Sequence, residues 1–173
     1  MPVIALILST LAFWLLYWFF QMGGFDHLMQ RSAQRKEEAR RRGAREASRL
    51  APLRALDDPR DAAAVLMLLI ARTHGDPTRE QIATIEDKLR TVFGFERELT
   101  ERMTQARFLA KQTDSFEEAA SAFSKLLNQR LSRDERAQLI EMLQEVARSE
   151  PPCEPRLEAI TAFMPMIGLL PAR

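Results

Sequence analysis

The sequence predicts an all-α protein with three parts: a single N-terminal transmembrane helix, a basic juxtamembrane helix, and a compact bundle of about six helices with pseudo-duplicated halves. The first twenty residues carry no charged side chain, which predicts the anchor. From residue 57 onward, apolar residues recur at helical spacing and no stretch alternates with period two. The predicted boundaries are 1–22 for the anchor, 23–56 for the basic helix and linker, and 57–173 for the bundle.

Composition excludes several classes of protein. The 173 residues are 46% hydrophobic and 28% charged, values that fit neither a disordered tail nor a polytopic membrane protein. One cysteine cannot form a disulfide within the chain or build a thiolate metal cluster. No two glycines have the spacing of a nucleotide-binding loop. With only two histidines and no recognisable catalytic set, we predict that the protein is not an enzyme.

The run from residue 3 to residue 20 is long enough to cross a bilayer. As a helix it would measure about 27 Å, close to the hydrocarbon thickness of a membrane. A cleaved signal peptide is the alternative, but it requires a basic residue before the run and small residues at its end. Here no basic residue precedes the run, and Trp14, Tyr17 and Trp18 lie near its end. These flanks favour a retained anchor.

Charge asymmetry predicts the orientation of that anchor. Eight basic residues follow it within thirty positions: Arg31, Arg35, Lys36, Arg40, Arg41, Arg42, Arg45 and Arg49. The positive-inside rule then places the N-terminus outside and the rest of the chain in the cytoplasm. These side chains either attract anionic lipid headgroups or form a solvated spacer and topology signal. No aromatic residue lies among them, which argues against nucleic acid as a partner.

The same basic segment, residues 26–50, has almost no apolar stripe after Met29. Glu37 and Glu38 each precede an arginine by four residues, a spacing that supports an exposed helix. We therefore expect this helix to lie outside any packed core.

Turn and cap residues divide the rest of the chain into helices. Asp58 followed by Pro59 predicts the start of a helix, and its apolar run 62–71 predicts that this helix is buried on all sides. Gly75 ends it, and Asp76 with Pro77 predicts the start of the next helix.

Four more helices follow, with two predicted capping boxes, Ser115 with Glu118 and Ser132 with Glu135. The last helix is expected from about Glu154 to Ile167, with a kink at Pro165. Its final turns and tail are almost continuously apolar: Phe163, Met164, Met166, Ile167, Leu169 and Leu170. This segment is either central to the core or a docking surface for a partner.

Two segments of the chain repeat the same pattern at a constant offset. Each of three residues recurs 74 positions later: Pro77, Glu80 and Gly94 correspond to Pro151, Glu154 and Gly168. Each unit would be a helix, an acidic loop and a second helix that ends at glycine, which indicates an internal duplication.

This pattern resembles the TerB-like family, which includes the tellurite-resistance protein TerB and the N-terminal domain of a membrane co-chaperone. The resemblance covers residues 57–170 and implies a bacterial inner-membrane protein with a periplasmic N-terminus. Gly75, Asp76 and Glu80 match the first family loop, whereas His74 stands where the family has aspartate. In the second loop Glu150 takes the aspartate position and Pro151 that of glycine. The chain has no His-Pro-Asp motif, so a co-chaperone activity is not implied.

The resemblance also implies a candidate cation site on the two loops. Its ligands would be Asp76, Glu80, Glu150, Glu154 and His74, since hard cations prefer carboxylate oxygens. The alternative is structural: Asp76 caps a helix, and Glu80 and Glu154 favour the positive ends of helix dipoles. Apart from this divalent cation we predict no cofactor.

We expect a non-enzymatic, membrane-anchored protein-interaction module on the cytoplasmic face, acting in envelope or tellurite-type stress or in the assembly of a membrane complex. Its expected partners are the lipid bilayer, anionic headgroups and an unidentified protein, and not nucleic acid. One alternative is a metal- or oxyanion-responsive binding protein of the tellurite-resistance type. Another is an accessory subunit held in a larger complex through its transmembrane helix.

Overall fold

The structure, a computed structural model, describes residues 43–45, 47–73, 75–113, 115–149 and 154–169. Their regular elements are six α-helices and one 3₁₀ helix: α1 (Pro59–Arg72), α2 (Arg79–Thr91), α3 (Leu99–Ala110), α4 (Phe116–Arg130), α5 (Arg133–Arg148), α6 (Glu154–Phe163) and the 3₁₀ helix (Met164–Ile167). Residues 43–45 and 47–54 are also helical. These ranges contain no strand, which confirms the predicted all-α class for the described chain.

Helix α1 lies at the centre of the bundle. The Asp58 carboxylate accepts a hydrogen bond from the Arg60 N–H at 2.9 Å, and Pro59 occupies the first turn. Every residue from Asp61 to Ala71 is buried, and α2, α3, α4 and α5 all pack against the helix. The prediction of a buried central helix is therefore confirmed, because an all-apolar run can be covered only by neighbours on every side.

The helices alternate in direction. Arg102 in α3 reaches Asp61 near the start of α1, and Arg72 near the end of α1 reaches Ala110 at the end of α3, so these two helices run parallel. Phe95, just after α2, lies against Arg60, so α2 runs the opposite way. Short connections continue the alternation through α4, α5 and α6. We call the end where α1, α3 and α5 finish the upper end, and the end where they begin the lower end.

The start of α2 corrects one prediction. The N-cap is Thr78, not Asp76: the Thr78 hydroxyl accepts from the Gln81 N–H, and the Gln81 side chain accepts from the Thr78 N–H. This reciprocal pair satisfies two N–H groups, more than an aspartate two residues earlier could reach. Asp76 lies in the loop before the helix and is exposed.

The two predicted capping boxes have different outcomes. Ser132 and Glu135 form the full reciprocal pair at the start of α5, as predicted. At the start of α4, Ser115 accepts from the N–H groups of Glu117 and Glu118. The Glu118 carboxylate instead accepts a hydrogen bond from the Thr113 hydroxyl, so that box is only half formed.

Gly94 and Gly168 both follow a helix end and have left-handed backbones, with φ of 70° and 72°. At Gly168 the N–H bonds the Pro165 carbonyl and the Leu169 N–H bonds the Met164 carbonyl, which is a Schellman cap. At Gly94 the corresponding bonds each span one residue more. The two glycines lie 74 positions apart, and the duplication stays a prediction.

The packed unit begins earlier than predicted. The chain divides into two units, residues 1–46 and 47–173. Leu50 and Leu53 are 4% and 0% exposed and join the core of the second unit. Residues 47–56 therefore belong to the packed unit, although the sequence placed them in the basic helix and linker. These two leucines, three positions apart, form a one-turn apolar stripe that the surrounding arginines and alanines obscure.

The predicted anchor, residues 1–22, lies outside the described residues. Among those that are described, no helix is long and apolar enough to cross a membrane. Most of the predicted membrane-surface residues, from Arg31 to Arg42, also lie outside them. Arg45 is helical and exposed.

The last helix changes type where a kink was expected. The α-helix ends at Phe163 and continues as a 3₁₀ helix that contains Pro165, because proline cannot donate the next α-helical hydrogen bond. Phe163, Ile167 and Leu169 are 1%, 0% and 7% exposed.

Candidate functional site

Three of the five predicted metal ligands are among the described residues, at the upper end. Asp76, Glu80 and Glu154 are exposed there, and His74 and Glu150 lie outside the described residues. Within the described ranges, no three acidic, histidine or cysteine side chains are grouped so that they could hold a metal ion. The cation site therefore stays a prediction.

Asp76 has cationic neighbours. It lines a pocket of about 340 Å³ together with Arg72, Arg107 and Lys111.

Arginine side chains close the upper ends of two helices. Arg72 donates to the Ala110 carbonyl at 3.0 Å, at the end of α3. Arg156, 4% exposed, donates to the Ala71 carbonyl at 3.3 Å, near the end of α1. Both bonds satisfy carbonyls that a helix leaves without partners in its last turn. The sequence does not predict these two hydrogen bonds, because the residues that they join lie 38 and 85 positions apart and no local pattern links them.

Arg49 contacts the folded unit through its guanidinium group. Its guanidinium forms an ion pair with Glu118 at 2.6 Å, and the Thr113 hydroxyl donates to the same carboxylate oxygen at 2.7 Å. The Thr113 bond and the Arg49 pair keep the pKa of Glu118 below its usual value. The Arg49 side chain is still 39% exposed, and its role at a membrane surface stays a prediction.

The lower end carries a network of charged side chains around one aromatic ring. Arg102 bonds Asp61 at 2.6 Å and Glu98 at 3.1 Å. The guanidinium groups of Arg60 and Arg102 lie 4.8 and 5.0 Å from the Phe95 ring centroid, which is cation–π distance. The Gly94 cap holds Phe95 in this position. The network thus fixes the α2–α3 connection to the start of α1.

Burial and ion pairing have opposite effects on the pKa values of two aspartates in this network. The Asp61 side chain is 8% exposed, and burial raises the pKa of Asp61 despite the Arg102 pair. Burial would also raise the pKa of Asp58, but hydrogen bonds from Arg60 outweigh it, so that pKa is lowered. Sequence reasoning identified Asp58 as a helix cap and did not identify the network.

A cleft of about 730 Å³ opens beside this network, between α1, α2 and the α4–α5 connection. Apolar side chains line much of it: Ala63, Val92, Phe93, Leu131, Leu139 and Met142. Polar groups lie at its rim, among them Asp57, Arg130, Glu135 and Gln138. An apolar concave surface with a polar rim can accept an apolar side chain or a small apolar ligand.

Three of the six predicted docking residues at the C-terminal end are core residues. Phe163 packs edge-on against Phe116, with ring centroids 5.6 Å apart. With Ile167 and Leu169 also buried, these three side chains are not available as a docking surface, and the core alternative is correct for them. Met164 is partly buried, and Met166 is 38% exposed. Leu170 lies outside the described residues.

The described residues define a small all-α module with an apolar cleft at its lower end. The chain belongs to the TerB family: the family model described as tellurite resistance protein TerB matches residues 60–155, more than half of the chain. No curated protein and no solved structure matches this chain. The matched region extends from α1 to the start of α6, so it contains both loops of the predicted duplication.

Proposed function

We propose that the protein is a non-enzymatic, membrane-anchored interaction module, with its TerB domain on the cytoplasmic face of a bacterial inner membrane. The observation that carries the proposal is the cleft at the lower end. Val92, Phe93 and Leu131 are only half-buried there, so the apolar surface they offer is incompletely covered by the domain's own core. A partner segment with an apolar side chain would complete it.

The anchor gives this module a physical advantage. A domain held within a thin layer beside the membrane meets membrane partners at a higher effective concentration than a freely diffusing one. The basic residues between anchor and domain would add attraction to anionic headgroups. Envelope stress of the tellurite type, or assembly of a membrane complex, is the process that we propose for it.

Blocking the cleft tests the proposal. Gln138 is exposed and lines the cleft, whereas Glu141 is exposed on the same helix and does not line it. In a detergent pull-down of the full-length chain, Gln138→Trp should lose the co-purifying partner and Glu141→Trp should keep it. Equal recovery with both variants would contradict a cleft-mediated interaction.

Exchange of the anchor separates this proposal from the accessory-subunit alternative. If residues 1–20 are replaced by an unrelated transmembrane helix, the proposed module keeps its partner, because the cleft is unchanged. Loss of the partner in that variant, with wild-type amounts of protein in the membrane, would show that the transmembrane helix is the binding surface.

A cation- or oxyanion-binding role is the second candidate function. Its cation-binding form is supported by Asp76 and Glu80, which match the family loop and are both exposed within one loop and the first turn of α2. Calorimetry of the full-length protein with calcium, magnesium, manganese and zinc tests it. Heat of binding that disappears in Asp76→Asn would support this role, and no binding below millimolar concentrations would contradict it.

A further inference from the structure

The upper end of α3 exposes an aromatic side chain between two cations. Phe108 is 61% exposed, more than any other large hydrophobic residue of the described chain. Arg107 precedes it, and Lys111 lies three positions later, which is one helical turn. Both cations are exposed, so the three side chains share one surface patch.

The pocket beside this patch adds a third cation. Its floor includes Leu68, Ile82 and Ala110, and its rim carries Arg72, Arg107 and Lys111 against one carboxylate, Asp76. Arg72 already donates to the Ala110 carbonyl. Among the described residues, no carboxylate forms an ion pair with Arg107 or Lys111 within 4.0 Å. The patch therefore has an excess of positive charge next to apolar surface.

The chain enters its folded unit at the same end. Arg49, three residues into the unit, bonds Glu118 in the first turn of α4, and Glu118 bonds Thr113, two residues after Lys111. The first residues of this unit therefore lie at its upper end. The predicted membrane anchor and most of the predicted basic residues precede them in the sequence.

We propose that Phe108, Arg107 and Lys111 form a surface that contacts an anionic phospholipid bilayer, with a headgroup phosphate at the adjacent pocket. An aromatic ring favours the boundary between headgroups and acyl chains, and cations beside it favour phosphate. The proposal rests on the membrane tether of the proposed function. The tether brings the domain to the membrane, and this surface decides which face of the domain meets the lipid.

Site-directed spin labelling of the full-length chain tests the orientation. Thr104, exposed and one turn before Phe108, is changed to cysteine in a Cys153→Ser background and labelled. The protein is reconstituted in phosphatidylcholine nanodiscs, with or without about one-quarter phosphatidylglycerol. With the anionic lipid, the label should gain accessibility to oxygen and lose accessibility to a water-soluble nickel chelate. A label at Glu141, on α5, should stay accessible to the chelate in both.

Substitutions in the patch provide the matched controls. Phe108→Ser and the double variant Arg107→Gln/Lys111→Gln change only exposed side chains, so wild-type circular dichroism is expected. Each should return the Thr104 label to the aqueous signal. Phe108→Ser removes the aromatic ring from the headgroup boundary, and the double variant removes two basic residues, each of which contributes roughly a factor of five in binding to an anionic surface.

Three outcomes would overturn the proposal. The Thr104 label could stay aqueous in both lipids, or it could move into the lipid equally in the patch variants. Spin–spin broadening that grows with protein density would show a second copy on this surface instead. Failure of the protein to incorporate into nanodiscs at all would contradict the proposed tether, and is distinguishable from these.

Discussion

Asp61 and Arg102 form an ion pair that neither the sequence pattern nor the local helical structure predicts. Asp61 is buried in the first turn of α1, and its partner lies 41 residues away in α3. Burial raises the pKa of Asp61, so the ionised carboxylate depends on Arg102 for its stabilisation. At the residue scale, Arg102 is therefore more important for stability than its partial exposure suggests.

Arg102→Met should destabilise the domain by about 2 to 3 kcal/mol at neutral pH, less than for a fully buried pair because the guanidinium is 25% exposed. An acid whose pKa is higher in the folded than in the unfolded state lowers the free energy of unfolding only at pH values above its unfolded pKa, here 3.8. Loss of Arg102 raises the Asp61 pKa further. The cost should therefore shrink as the pH falls toward about 4.

Urea unfolding of the wild type and Arg102→Met across this pH range measures the effect. The double variant Asp61→Asn/Arg102→Met removes the titrating carboxylate, so most of this pH dependence should disappear. A cost for Arg102→Met that is constant with pH would show that Asp61 is not the affected group.

At the scale of the helix, the structure shows which residues cap each helix end. Ser132 and Glu135 were identified correctly because both members of the box are local in sequence. Thr78 was missed because Asp76 followed by proline is the stronger single-residue signal, although Thr78 with Gln81 satisfies more groups. Glu118 fits the box pattern but bonds a distant arginine instead. Local patterns thus predict a cap reliably only where no tertiary partner competes.

The corrected start of α2 leads to a direct comparison of two alanine variants. Thr78→Ala should destabilise the domain by about 1 kcal/mol, because the Gln81 N–H loses its acceptor. Asp76→Ala should change stability by less than about 0.5 kcal/mol, since Asp76 is an exposed loop residue. Thermal unfolding of both variants decides between them, and the reverse order would restore Asp76 as the cap.

The two helix-ending glycines should differ in their tolerance of alanine. Both have positive φ, so Gly94→Ala costs about 1 kcal/mol of backbone strain and meets no other atom within 4 Å. At Gly168 the added Cβ would lie 3.0 Å from an Arg136 guanidinium nitrogen that donates to the Ile167 carbonyl at 2.6 Å. Gly168→Ala should therefore cost about 2 kcal/mol. Equal costs in denaturant titrations would show that Arg136 moves aside freely.

At the scale of the whole molecule, the apolar periodicity predicted the all-helical class, the central helix and its buried stripe. Leu89, Phe123, Leu139 and Leu143 are at most 1% exposed, as their helical spacing indicates. The charged network around Phe95, the arginine caps and the cleft could not be predicted, because each joins residues from separate helices. For the same reason, the sequence indicates the two loops of the candidate cation site but not the distance between them in space.

The early start of the folded unit gives a prediction at this scale. Leu53 is fully buried, so Leu53→Ala in the full-length chain should destabilise the domain by about 2 to 4 kcal/mol. Its exposed neighbour, changed as Arg54→Ala, should cost less than about 0.5 kcal/mol. Denaturation followed by circular dichroism compares them. A negligible cost for Leu53→Ala would return the boundary to residue 57.

The central position of α1 has a consequence for the order in which the protein is made. This helix is synthesised before α2 to α5, which pack against it, and the last of these, α5, ends 76 residues after α1 does. At about 5 to 20 residues per second, ribosomal synthesis leaves its apolar surface without a complete cover for about 4 to 15 s. During that interval the nascent chain presents ten consecutive apolar residues to the cell, and a chaperone or a nearby membrane surface would have time to bind them before the bundle closes.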